Sequence, residues 1–183
     1  MNHGKNKAVH KALLTVIDVT VVSACDIVGG VNNGQTQDFK AAPEYIRTRA
    51  LEIAQYYIGM DYEYGGQDHY STISALGIDC SGLVVNAYEE AVIGTPYALP
   101  FYDAAVVNFL NTYTTPIETP EPGDLTFMGE DSVTHIAIYE KTDGANIVFI
   151  DAFSTTKIVQ RRDYPIDHYK FKSFGRLYVV SRY

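Results

Sequence analysis

The sequence predicts an α+β fold, with helices in the first half and an antiparallel sheet or small barrel in the second. Two observations carry this prediction. Between Pro43 and Tyr113 apolar residues recur at helical spacing, whereas from Pro122 onward short β-rich runs alternate with turn residues. A third sets the scale: 183 residues with 46% hydrophobic content suit one substantial core rather than two large domains.

Residues 1–24 read as an export signal, because Lys5, Lys7 and Lys11 precede the apolar runs 12–17 and 19–24, which Asp18 separates. The segment is too short for a stable membrane-spanning anchor. Val22-Ser23-Ala24-Cys25 resembles the lipobox of bacterial lipoproteins, which implies lipidation of Cys25 and a membrane anchor at the cell envelope. The runner-up is an ordinary secretory signal cut nearby. Cleavage before Cys25 leaves 11 of the 14 basic and 21 of the 22 acidic residues, since Lys5, Lys7, Lys11 and Asp18 are lost. Residues 25–42 are rich in Gly, Asn and Gln without periodicity, and read as a flexible tether to a domain spanning 43–183.

Pro43 opens the first helix, with Ile46, Ala50, Leu51, Ala54, Tyr57 and Ile58 on one face and Gly59 as the stop. Tyr62-Glu63-Tyr64-Gly65-Gly66 forms a turn, followed by a polar loop. A second helix runs from Cys80 through Leu83, Val84, Ala87, Tyr88 and Ala91, capped by Asp79 or Ser81. Asp103 to Tyr113 gives a third, with Val106, Val107 and Leu110 on one side. Strands follow at 125–128, 135–139, 147–152, 157–160 and 177–180.

The formal charge of -8 and the absence of a Lys/Arg-rich run argue against nucleic-acid binding, which requires clustered cations. Fifteen tyrosines and no tryptophan suit a groove whose apolar rings carry hydrogen-bonding tips. Cys25 and Cys80 stand in such different settings that they look like separate functions rather than one disulfide.

Cys80 is the candidate nucleophile. At a helix N-terminus, unpaired N–H groups and the helix dipole favour a thiolate, and the same N–H groups can hold an oxyanion. A thiol nucleophile needs a base within hydrogen-bonding reach and a third polar group to orient that base. Of the five histidines, His3 and His10 fall in the signal, His69 in a polar loop and His168 after a Pro165 turn. His135 opens an apolar strand, and is the best candidate.

Tyr62-Glu63-Tyr64-Gly65-Gly66, Asp79-Cys80-Ser81-Gly82-Leu83-Val84, Pro122-Gly123-Asp124-Leu125 and Thr134-His135-Ile136-Ala137-Ile138-Tyr139 together resemble the NlpC family of bacterial cell-wall cysteine peptidases. The resemblance covers roughly residues 44 to 182 and implies a papain-like fold. Position by position it implies Cys80 as nucleophile, His135 as base and Asp151 as the third polar residue. Asp151 is a departure, because the family often has histidine there. On those grounds Asp151→His is expected to be the best-tolerated change at this position. Tyr62, Asp79 and Ser81 match positions associated with the substrate, although Asp79 and Ser81 serve equally as helix caps. The stretch between Gly66 and Gly77 is longer than the common family pattern.

The expected activity is hydrolysis of amide bonds in peptidoglycan stem peptides, between D-glutamate and the diamino acid, by a monomer using no metal or cofactor. The competing readings are a non-catalytic peptidoglycan-binding lipoprotein and a related amidase or acyltransferase acting elsewhere.

Overall fold

The computed structural model describes residues 38–66 and 77–182, which belong to one compact unit. The expected signal segment, Cys25, His69 and most of the expected tether lie outside the described residues. Strand β1 (Phe39–Ala41) already lies within the stretch expected to be tether. Its backbone is spoken for by antiparallel pairing with the last strand of the sheet.

Pro43 caps helix α1 (Glu44–Tyr56), its fixed φ of -59° being preorganised for a helix start. Ile46, Ala50, Leu51, Ala54 and Tyr57 are buried as the periodicity predicts, but Ile58 is 40% exposed. The helix has ended at Tyr56, so Ile58 no longer follows its face. Helix α2 (Cys80–Ala91) is the most enclosed, with Leu83, Val84, Val85, Ala87 and Tyr88 all buried. It packs on α1 and on the sheet. The short β2 (Tyr97–Ala98) precedes α3 (Val106–Asn108), which runs on as one π-helical turn, Phe109–Tyr113.

That turn corrects the predicted third helix. The buried face runs through Phe109, which is fully buried, while Val107 is 54% exposed. Phe109 meets Phe101 edge-on at 5.2 Å.

The remaining strands are β3 (Thr114–Ile117), β4 (Leu125–Met128), β5 (His135–Asp143), β6 (Asn146–Phe153), β7 (Ile158–Pro165) and β8 (Phe171–Ser181). They pair antiparallel in the order β1-β8-β4-β5-β6-β7, with β2 and β3 also on β8. Alternation along β4 to β6 divides two cores. Leu125, Phe127, Ile136, Ile138 and Ile150 join the helices, whereas Met128, Ala137, Tyr139, Ile147 and Phe149 pack with Tyr164, Phe171 and Phe174.

The Pro-Gly-Asp-Leu run before β4 is a structural joint. Asp124 is fully buried and accepts from both Nε and Nη2 of Arg176 on β8, each at 2.8 Å. Arg47 of α1 lies against the same carboxylate at 3.4 Å and pairs with Glu121. From α2 the buried Tyr88 hydroxyl donates to the Gly123 carbonyl at 2.7 Å. Gly123 adopts φ +88°, and a Cβ there would stand 2.1 Å from the Arg47 carbonyl oxygen. Helices α1 and α2 and strands β4 and β8 therefore meet around one charged cluster.

Asp124→Asn removes the anion that compensates two inward arginines and should cost about 3–5 kcal/mol, the scale for breaking a buried pair on one side. Urea denaturation of the folded protein checks this through a lower midpoint at unchanged slope.

Candidate active site

Asp79 is the N-cap of α2 and accepts the Gly82 N–H and the Ser81 hydroxyl on Oδ1, both at 2.8 Å. Its Oδ2 accepts the Gly65 N–H at 3.0 Å, so the cap also fastens the Tyr62–Gly66 turn. The Ile78 N–H donates to the Asp61 carbonyl at 2.9 Å and the Asp79 N–H to the Gly66 carbonyl at 3.1 Å. These backbones approach so closely that side chains are excluded. A Cβ on Gly66 would lie 1.9 Å from the Gly77 oxygen, and one on Gly77 2.4 Å from the Asp61 oxygen. The turn is thereby pinned across the first turn of α2, where Cys80 is a free, partly exposed thiol.

Tyr62 comes with that turn. Burial, then the charges of Cys80 and Asp79, push its phenol upward. Its N–H donates to the carbonyl of Lys157 at 2.8 Å. Lys157, expected to begin the fourth strand, instead sits in the preceding turn at φ +60°.

His135 begins β5, and the Cys80 side chain is among the groups that bear on its charge. Its Nε2 lies 2.6 Å from Asp151 Oδ2 on β6. That contact assigns the Nε2 proton to the carboxylate and leaves Nδ1 for the thiol. Burial opposes a charged imidazole, but the Asp151 hydrogen bond, followed by the hydrogen bond and charge of Cys80, outweighs it and raises His135 to about 9. Phe153 meets the ring edge-on at 5.8 Å.

Asp151 is fully buried and bound on its other side by Arg162, which the sequence reading missed. Arg162 Nε donates to Oδ1 at 3.0 Å, and Nη2 donates to Oδ2, the oxygen that also faces His135. The β6–β7 register explains this: Phe149 pairs with Arg162, which puts Arg162 diagonal to Asp151 on one face. The predicted fourth strand stopped at Gln160, whereas β7 continues to Pro165. Extending the alternation from Gln160 through Arg162 to Tyr164 is the signal that would have found it. A cavity of about 440 Å³ opens beside His135, Phe153, Arg162 and Tyr164, with Glu130 and Lys170 at its wall.

The structure thus brings Cys80, His135, Asp151, Tyr62, Asp79 and Ser81 into one region, while His168 is stacked on Tyr164 at 4.2 Å in the second core. The NlpC/P60 family pattern matches residues 59–175, a span that contains every one of the six. The chain belongs to the NlpC/P60 family. This family consists in general of cell-wall cysteine peptidases and amidases.

Among solved structures, NlpC1 from Trichomonas vaginalis is similar with TM-score 0.55 and 22% identity, covering 76% of this chain and 47% of its own. NlpC2 from the same organism gives 0.54 and 21%, covering 76% and 50%. A similar-to-lipoprotein NLP/P60 family protein from Staphylococcus aureus subsp. aureus Mu50 gives 0.53 and 22%, covering 80% and 45%. The likeness is one of fold: the papain-like NlpC/P60 arrangement of few helices on a large antiparallel sheet. The chain spans about half the length of these structures. No curated protein matches it.

Because His135 is raised from 6.5 to about 9, its ion pair contributes stability that is fully present below pH 6.5 and is lost as pH rises through about 9. Urea midpoints should therefore fall between about pH 6 and about pH 10, and Asp151→Ala should flatten that fall.

Proposed function

We propose that this chain is a cysteine peptidase that hydrolyses amide bonds in peptidoglycan stem peptides, cutting between D-glutamate and the diamino acid. The observation that carries the reading is the partly exposed Cys80 thiol at the start of α2, beside an imidazole whose far nitrogen meets a buried carboxylate. Family membership supplies the substrate class.

In this reading Cys80 passes its proton to His135 Nδ1 and its sulfur attacks the scissile carbonyl carbon. The oxyanion falls against the first turn of α2: Asp79 takes the Gly82 N–H on its side chain and the Leu83 N–H on its carbonyl, so the N–H groups of Cys80 and Ser81 at the helix start receive the developing charge. His135 returns the proton to the leaving amine, and the bond to nitrogen breaks. Water, deprotonated by the imidazole, then attacks the thioester and restores the thiol. Tyr62 forms a wall beside the sulfur, and Ser81 and Asp79 hold the helix end against which the substrate lies. No nucleic acid takes part. A monomer attached to the envelope through lipidated Cys25 is part of the same proposal, and it is supported by the lipobox resemblance alone. Secretion without lipidation is the alternative.

Cys80→Ala should abolish release of cleaved fragments from purified peptidoglycan, read by mass spectrometry, while the far-ultraviolet circular dichroism stays unchanged. Turnover by this variant equal to that of the parent would sink the assignment, and a fragment from another bond would move the cleavage site.

Asp151→Ala should lower turnover on a defined stem peptide by roughly 10²–10⁴-fold, with Asp151→Asn intermediate because its amide oxygen still accepts. Arg162 reverses the expectation that histidine is tolerated best here. A neutral ring cannot satisfy the guanidinium fork that holds Asp151, so Asp151→His should be the poorer replacement. An Asp151→His enzyme faster than Asp151→Asn would show that the fork does not constrain this position.

A further inference from the structure

The histidine base of this site does not face an isolated carboxylate. Asp151 has no solvent exposure, and its Oδ2 is shared between the His135 ring and Arg162. Arg162 is itself fixed: its guanidinium lies 3.7 Å from the Phe153 ring centroid, and Nη1 donates to the Tyr164 hydroxyl at 2.8 Å. Phe153 also touches the His135 ring, so one aromatic side chain packs against both cations of the assembly.

We propose that Arg162 is a positioning residue for His135, holding Asp151 in place and balancing its charge so that the imidazole can surrender its proton. Charge bookkeeping carries the second half. With Arg162 present, proton loss from His135 leaves a neutral carboxylate–guanidinium pair in the buried site. Without it, the same loss leaves an uncompensated buried anion, which is strongly disfavoured. The sign holds wherever the proton resides between imidazole and carboxylate. Removing Arg162 must therefore make the proton harder to release, turning His135 into a weaker acid toward the leaving amine.

The other groups facing this ring do not replace Arg162. Cys80 comes from α2, with Tyr62 behind it, and Tyr164 reaches the site from β7. Glu130 and Lys170 at the cavity wall pair with each other at 3.3 Å, and Glu130 is 68% exposed. Asp131 shares that exposed loop, where solvent screens it.

The role of Arg162 in turnover rests on the peptidase reading, but its effect on the ring does not. The test is a histidine ¹⁵N NMR titration of His135 in the full chain and in Arg162→Met, Arg162→Gln and Arg162→Lys, alongside hydrolysis of a stem peptide across pH. Arg162→Met and Arg162→Gln should raise the His135 titration by about one pH unit and carry the basic limb of activity with it, with turnover falling roughly tenfold at neutral pH. Arg162→Lys keeps the charge and should titrate within a few tenths of a unit of the parent while recovering only part of the rate. Should Arg162→Met fail to fold, Arg162→Gln decides by the same sign. An unchanged or lowered titration in the neutral variants overturns the proposal. A raised titration in a chain that cuts no stem peptide upholds it and overturns the peptidase reading instead.

Discussion

A buried carboxylate is stable only when its neighbours supply the hydrogen bonds and charge that water would have given, and Asp124 obtains both from elements far apart in the chain. Arg176 arrives from the last strand and Arg47 from the first helix, while the adjoining Gly123 carbonyl takes the Tyr88 hydroxyl from the second helix. The demand of one anion thus fixes how α1, α2, β4 and β8 meet. Since α2 carries Cys80 and the sheet carries His135, the spacing between thiol and imidazole depends on that joint.

Asp151 obeys the same rule with a different outcome. At Asp124 both facing cations are arginines, which hold their charge throughout the accessible range, and the cluster is static. At Asp151 one cation is an arginine and the other an imidazole that can change its charge. The first arrangement builds a scaffold and the second builds an acid–base device. Their difference comes down to a single partner, histidine in place of a second arginine.

Much of this was legible in the chain. Leu125-Thr126-Phe127-Met128 is a β-prone run bounded by turn residues, so β4 was read to the residue, and Asp79, one of the two caps the sequence offered, immediately precedes a helical pattern. Cys80 and His135 stood out by chemistry and by their positions at element starts. What escaped depended on tertiary pairing. Thr114–Ile117 contains a proline and lacks alternation, yet Thr114 and its neighbours pair with β8 as a strand. The first half of β8 mixes Lys172, Ser173 and Arg176 among aromatics, and it is held as a strand by β3 and β4 pairing along it. Arg162 is the instructive omission. Extending the alternation to Tyr164 would have put Arg162 on a strand, but its partner follows from a diagonal relation that only the β6–β7 register and its turn fix.

Strand β8 also has a consequence for how the chain comes to be folded. Among the described residues, β1, β2 and β3 find their only sheet partner in it, although they precede it by more than fifty positions. The run β5-β6-β7 closes on itself through short turns and can assemble as soon as it is made. The earlier strands wait. Until residues 171–181 emerge during synthesis or refolding, their backbone groups and the Asp124 carboxylate lack the partners that β8 supplies, so the chain's interval of greatest exposure to aggregation and proteolysis ends with its last strand.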